Sequence, residues 1–236
     1  MRILSFVIVL FFSAGIFGQS PAAYSSFNDG AKSAASGDFE NALKSYRTSL
    51  MLVENEASKT VFKAKLHFNI GVCLYRLNRS AEAVPEFEEA IRLRKGRYQK
   101  AAYALGMAES ARENWVNAGE AFESAVKLKE DDGEAWFDLG MTHIARSDFV
   151  KAEKAFRTSI IYKTVDSALS HNNVGVILAM KNDFPRAEQE FEKALFLSAG
   201  RLIEARNNLE YCKKRTARDL VAGLSFSARD ELIGNY

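Results

Sequence analysis

Residues 103–125 read YALGMAESARENWVNAGEAFESA, and residues 137–159 read FDLGMTHIARSDFVKAEKAFRTS. Laid over one another, both keep a glycine at the fourth place and an alanine twelve residues later. A phenylalanine follows four residues beyond that, and a small residue three further on. The pattern recurs along the chain. Gly30, Gly71, Gly106, Gly140 and Gly175 are 41, 35, 34 and 35 residues apart. Their followers are Ala42, Ala83, Ala118, Ala152 and Ala187, then Tyr46, Phe87, Phe122, Phe156 and Phe191, then Ser49, Ala90, Ala125, Ser159 and Ala194. Such a period means one supersecondary unit used repeatedly, which buries its apolar face only by stacking on its neighbours. Pro21, Pro85 and Pro185 are the only prolines, which favours helices throughout.

Small, small, aromatic, small at a period near 34 resembles the tetratricopeptide repeat. The resemblance runs from Tyr24 to about Arg215. It implies an all-α fold, an α-solenoid of stacked antiparallel helix hairpins, with each repeat made of helix A, a short turn and helix B. The repeats fall near 23–58, 64–98, 99–132, 133–167 and 168–202, within a domain covering 19–215. A closing helix over 203–215 carries Leu209 in the aliphatic column and Glu210 in the glycine column. The packing set is Gly71, Ala83, Phe87, Gly106, Ala118, Phe122, Gly140, Ala152, Phe156, Gly175, Ala187 and Phe191. In this reading the glycine admits the neighbouring helix, the alanine fills the gap, and the aromatic fills the space between hairpins. The long first spacing is expected to lengthen helix B of the first hairpin by a turn or two. Asp29 replaces the aliphatic residue of the other repeats, which suits an end with an open outer face. Asp, Asn and Ser in the turns suit helix N-caps. Residues 216–236 carry no repeat signature and read as a frayed helix and mobile tail.

Residues 1–18 differ from the rest: Arg2, then an apolar run from Ile3 to Phe12, then small residues to Gly18. This is the pattern of a secretory signal peptide, cleaved after Gly18. A retained anchor is the alternative, though the apolar run is short for a membrane span of about 20 residues. The remaining chain has no second stretch long enough to span. The expected location is exported, periplasmic or extracellular, with a bacterial envelope favoured. A net charge of +2 gives no strong pull on nucleic acid or lipid. Cys73 and Cys212 lie four repeats apart and are expected to be separate packed thiols.

The resemblance also implies where a partner would sit. Helix A lines the inner surface at positions three and two before the glycine and one after it. Three before gives Phe68, Tyr103 and Phe137, with Phe27 and Asn172 at the ends. One after gives Val72, Met107, Met141 and Val176, and Met180 lies further along. These residues make either an adaptable apolar groove or core between hairpins. Two before gives Asn28, Asn69, Asp138 and Asn173, and Asn208 continues the column into the closing helix. Side-chain amides offer a donor and an acceptor each, so such a ladder can bond the main chain of an extended peptide. Ala104 interrupts it. The family's clamp for a C-terminal carboxylate wants a lysine and an asparagine where Phe68 and Val72 stand, which counts against that mode.

Catalysis finds no support. His67, His143 and His171 fall at repeat positions that are normally packed. No histidine pair has zinc-ligand spacing, and no phosphate loop or nucleophile elbow occurs. The expectation is a non-enzymatic adaptor or scaffold without metal or cofactor, holding a protein or peptide partner, with the oligomeric state left open and a monomer favoured. The alternatives are a self-assembling structural component, or a non-catalytic activator subunit of an envelope enzyme or secretion complex.

Overall fold

The computed structural model describes residues 20–163, 167–214 and 225–226. The expected signal peptide and most of the expected tail lie outside the described residues. Among these, eleven α-helices and no strand occur. Five hairpins pair α1 (Pro21–Ala35) with α2 (Phe39–Val53), α3 (Thr60–Arg76) with α4 (Ser80–Leu93), and α5 (Gln99–Ala111) with α6 (Trp115–Leu128). The last two pair α7 (Gly133–Ala145) with α8 (Phe149–Ile161), and α9 (Ser167–Met180) with α10 (Phe184–Leu197). A final helix, α11 (Ile203–Lys214), closes the array against α10 and α9. Each helix packs on the next, as a solenoid requires.

The turn inside each hairpin has one geometry. Helix A stops at a residue in the left-handed region: Gly37 at φ 79°, Asn78 at 58°, Glu113 at 58°, Ser147 at 57° and Asn182 at 62°. The next amide then bonds back to a carbonyl five residues earlier, as from Asp148 to His143 at 2.8 Å and from Asp183 to Leu178 at 2.9 Å. This closes orphan carbonyls of the helix end. Asn78, Ser147 and Asn182 therefore terminate helix A rather than cap helix B. The caps are Asp38, Asp148 and Asp183, whose carboxylates accept from the amides of Asn41, Lys151 and Arg186. Asn114 makes no such cap; its amide donates to the buried carboxylate of Glu109 at 3.3 Å. Helix α4 runs unbroken through Pro85, and Pro185 sits in the first turn of α10.

Two expectations are corrected here. The extra residues after the first hairpin do not lengthen its helix B by turns, because α2 has 15 residues against 14 in α4. They form a 3-10 turn at Ala57–Lys59 and an extra turn at the start of α3, which has 17 residues. The second correction concerns the glycine column. A Cβ built on Gly106 would lie 2.6 Å from Phe122 Cδ1, and one on Gly175 would lie 2.6 Å from Phe191 Cε1. Gly71 and Gly140 stand the same way against Phe87 and Phe156. The aromatic ring itself lies directly over the glycine of its own hairpin, a contact expected of the alanine alone. The alanines Ala42, Ala83, Ala118, Ala152 and Ala187 are wholly buried. Where serine replaces alanine in the last column, its hydroxyl finds a partner: Ser49 donates to the Ala23 carbonyl at 2.7 Å, and Ser159 pairs with Ser170 at 3.0 Å.

The apolar interior falls into two clusters. One runs from α1 to α7 and α8 and includes Tyr46, Phe68, Phe87, Tyr103 and Phe122. The other runs from α7 to α11 and includes Phe137, Phe156, Val176, Phe191 and Cys212. Asp29 is exposed at the open end of the first hairpin. Cys73 and Cys212 are both free and buried, and burial pushes their thiols up to about 12 and about 11.

Candidate functional site

The odd-numbered helices share a face. Contacts pass directly from α3 to α5 and from α9 to α11, across the intervening helix B. Side chains repeat the link: the Tyr103 hydroxyl donates to Asp138 at 2.6 Å, Asn173 Nδ2 reaches Met141 Sδ at 3.5 Å, and Asn208 Nδ2 donates to Asn172 Oδ1 at 2.8 Å. Helices that meet across their neighbours lie on the inside of the curve, so this is the inner face of the array.

The residues proposed for the groove divide by depth. Phe68, Tyr103, Met107, Phe137, Asn173, Val176 and Asn208 are buried. Asn69, Val72, Asp138, Met141 and Met180 are half-buried and keep surface to offer. The column three before the glycine is the informative case. Phe137 is 1% exposed, and its ring stacks obliquely on Phe156, 5.5 Å between centroids. Phe68 meets Phe87 at 6.0 Å, Tyr103 meets Phe122 at 5.6 Å, and Phe27 meets Tyr46 at 5.5 Å. These aromatics join the two helices of a hairpin, each over the same ring that rests on the glycine. Burial places them chiefly in the core, with the Tyr103 hydroxyl emerging to bond Asp138. The Tyr75 hydroxyl lies near the same place. It has no hydrogen-bond partner among the described residues, and burial, followed by the charge of Asp138, pushes it up to about 12.

The asparagine column behaves differently at its two ends. Asn28 is exposed and Asn69 half-buried, whereas Asn173 and Asn208 are wholly buried. Asn172, which takes the aromatic position in the fifth hairpin, is wholly buried too. These last amides are not idle. The Ser225 carbonyl accepts from Asn172 Nδ2 at 3.0 Å and from Asn208 Nδ2 at 2.9 Å. The Ser225 amide donates to Asn208 Oδ1 at 2.9 Å. Phe226, half-buried, packs on the cluster that holds Phe137 and Val176. Sequence reasoning missed Ser225 and Phe226. The available signal was Asn208 itself, which extends the column past the last glycine.

The histidines are accounted for by packing. His67 pairs with Glu86 at 2.7 Å and His171 with Glu190 at 2.5 Å, each joining helix A to helix B of one hairpin. His143 is 4% exposed, and burial lowers its pKa below the ordinary 6.5. Among the described residues no group of three His, Cys, Asp or Glu side chains is placed to hold a metal. Nor is any described helix long and apolar enough to cross a membrane.

Residues 64–97 and 103–164 match two family models for the tetratricopeptide repeat. With the five hairpins of one register, the chain is a tetratricopeptide repeat protein. No curated protein sequence matches it. Solved structures are similar in fold. MamA from Desulfovibrio magneticus is 19% identical, with a TM-score of 0.68, over 78% of this chain and 99% of that one. YrrB, described as a TPR protein with an unusual peptide-binding site, is 23% identical with a TM-score of 0.65, over 81% of this chain and 92% of its own. The first TPR of Spaghetti (RPAP3), bound to an HSP90 peptide, is 22% identical with a TM-score of 0.50, over 56% and 99%.

Proposed function

We propose that the chain is an exported adaptor that binds a peptide or helical segment of a partner protein on its inner face and performs no reaction there. The observation that carries this is the half-buried row Asn69, Val72, Asp138, Met141 and Met180 along that face. It combines apolar contact area with side chains able to bond a main chain, on helices held rigidly by their hairpins. The two solved relatives with peptide sites, YrrB and Spaghetti, support the same use of the fold. Export rests on the sequence of residues 1–18 alone, and the periplasm or cell exterior follows from it.

The test is an affinity capture of the full-length chain from envelope extract beside a Val72→Glu/Met141→Glu variant. Both positions keep exposed surface, so the variant is expected to fold and to lose the partner. Unchanged capture by the variant would move binding off the inner face. Tyr103→Ala or Phe137→Ala would be poorer probes, since both remove core.

A further inference from the structure

The closing end of the inner face already holds a segment of polypeptide. Asn208 contacts Ser225 at two points, accepting from its amide at 2.9 Å and donating to its carbonyl at 2.9 Å. Asn172 adds a third bond to the same carbonyl at 3.0 Å. All three bonds engage main chain only, so the serine side chain contributes no selectivity to them. The selective contact is the next residue, because Phe226 packs on the apolar cluster of α7 to α11. Asn172 and Asn208 are wholly buried, and a buried amide is costly unless bonded. The bonds to Ser225 add to those the amides make with one another, Asn208 Nδ2 to Asn172 Oδ1 at 2.8 Å and Asn172 Nδ2 to Asn173 Oδ1 at 3.3 Å, and tie that buried cluster to the main chain of Ser225. The aromatic column of hairpins one to four becomes asparagine at Asn172, at the place where the main chain of Ser225 arrives.

We infer that the closing end of the inner face is a binding site for an extended main chain followed by an aromatic residue. Its resident occupant is this chain's own Ser225–Phe226, and an outside segment of the same chemistry binds by displacing it. The inference rests on the reading of the inner face as a peptide site, and gives it a location, a ligand class and a competitor in the same molecule. While the resident dipeptide is seated, an outside ligand sees only the fraction of molecules in which the site is open, and its apparent affinity falls by that fraction.

The test uses the full-length chain and a labelled synthetic peptide of residues 219–232, DLVAGLSFSARDEL. Fluorescence anisotropy measures its binding to the wild-type chain and to the Phe226→Ala chain, in which the resident anchor is removed but the site is intact. The Phe226→Ala chain is expected to bind the peptide about tenfold tighter or more than wild type, because its open fraction is larger. A peptide carrying alanine in place of that phenylalanine is expected to bind neither. Hydrogen exchange supplies a second readout: the Ser225 amide should exchange more slowly in the wild-type chain than in the Phe226→Ala or Asn208→Ala chains. Equal affinity for both chains, absence of binding to both, or equal exchange at Ser225 would overturn the inference. If a captured partner depends on Val72 and Met141 while the peptide distinguishes nothing, the inference fails and the adaptor reading stands. If the peptide shows the difference while no partner depends on those residues, the inference stands and the adaptor reading fails.

Discussion

The first three hairpins and the last two, with their closing helix, obey the same glycine–alanine–aromatic register but finish their inner faces differently. In the first part the position three before the glycine is Phe27, Phe68 or Tyr103, and each ring packs on the aromatic of its own helix B. In the second part that position turns from Phe137 to Asn172, and the interior admits three wholly buried asparagines, Asn172, Asn173 and Asn208. The first solution is mainly aromatic, and its rings also reach the next hairpin: Phe27 meets Phe62 at 5.5 Å between centroids, and the Tyr103 hydroxyl donates to Asp138. The second is polar and is completed by bonds from another segment, Ser225. The lesson is that a repeat can keep its packing columns fixed and still exchange an aromatic inner face for a buried amide cluster that bonds main chain, by changing one column.

The strongest way to break this comparison is at the boundary. Phe137→Ala removes a ring that is 1% exposed and should cost about 3–5 kcal/mol of unfolding free energy, read from urea denaturation. Wild-type stability in that variant would return Phe137 to the groove. Next comes the register common to both parts. Gly106→Ala and Gly175→Ala each place a methyl carbon 2.6 Å from a ring carbon, and each should cost about 1–3 kcal/mol through overpacking. A large difference between the two would show that the halves do not share the ring-on-glycine contact. Asn172→Ala comes third, with an expected loss of about 1–2 kcal/mol from the buried hydrogen bonds to Ser225, Asn208 and Asn173 that it deletes, whereas Asn69→Ala in the first part should lie within about 0.5 kcal/mol of wild type.

Acid should act mainly on the second part. Burial lowers the pKa of His143, so below the ordinary 6.5 the unfolded chain takes up a proton that the folded chain resists. The unfolded state then binds more protons, and stability falls as pH drops below about 6.5. Burial alone would raise Glu190, but the hydrogen bonds from His171 and Lys193 outweigh it and hold it below the ordinary 4.5. Its contribution is present above that value and is lost as pH falls through its lowered pKa. Thermal melts between pH 4.5 and 7 should therefore show a decline that His143→Gln flattens; an unchanged slope would place the proton uptake elsewhere. The smallest expected effect is a gain. Glu113 occupies the left-handed region at φ 58°, and Glu113→Gly should raise stability by a few tenths of a kcal/mol to about 1 kcal/mol by relieving it.

Much of the molecule was legible in the chain because a repeat states its rule several times. The glycine, alanine and aromatic columns located the buried layers, and the Asp, Asn, Ser and Gly clusters located the turns. The order within those turns was less legible, since asparagine and serine suit both a left-handed helix end and an N-cap. The inner-face residues were harder still. The side chains on either side of the glycine sit on the flank of helix A, where a small rotation decides between groove and core, and Phe68 and Val72 fell on different sides of that division.

By itself the sequence determined the all-helical class, the repeat number and the identity of the buried columns, because periodic spacing of small and aromatic residues is a local property that the helix geometry reads directly. Only the tertiary structure decided which contacts those columns make. The ring lies directly over the glycine of its own hairpin because the packing distance between two helices depends on both at once. The tertiary structure also brought Ser225 to Asn172 and Asn208, 53 and 17 residues away in the chain. No period links them, so their meeting is decided by the packing of α9 against α11 at the closing end of the array.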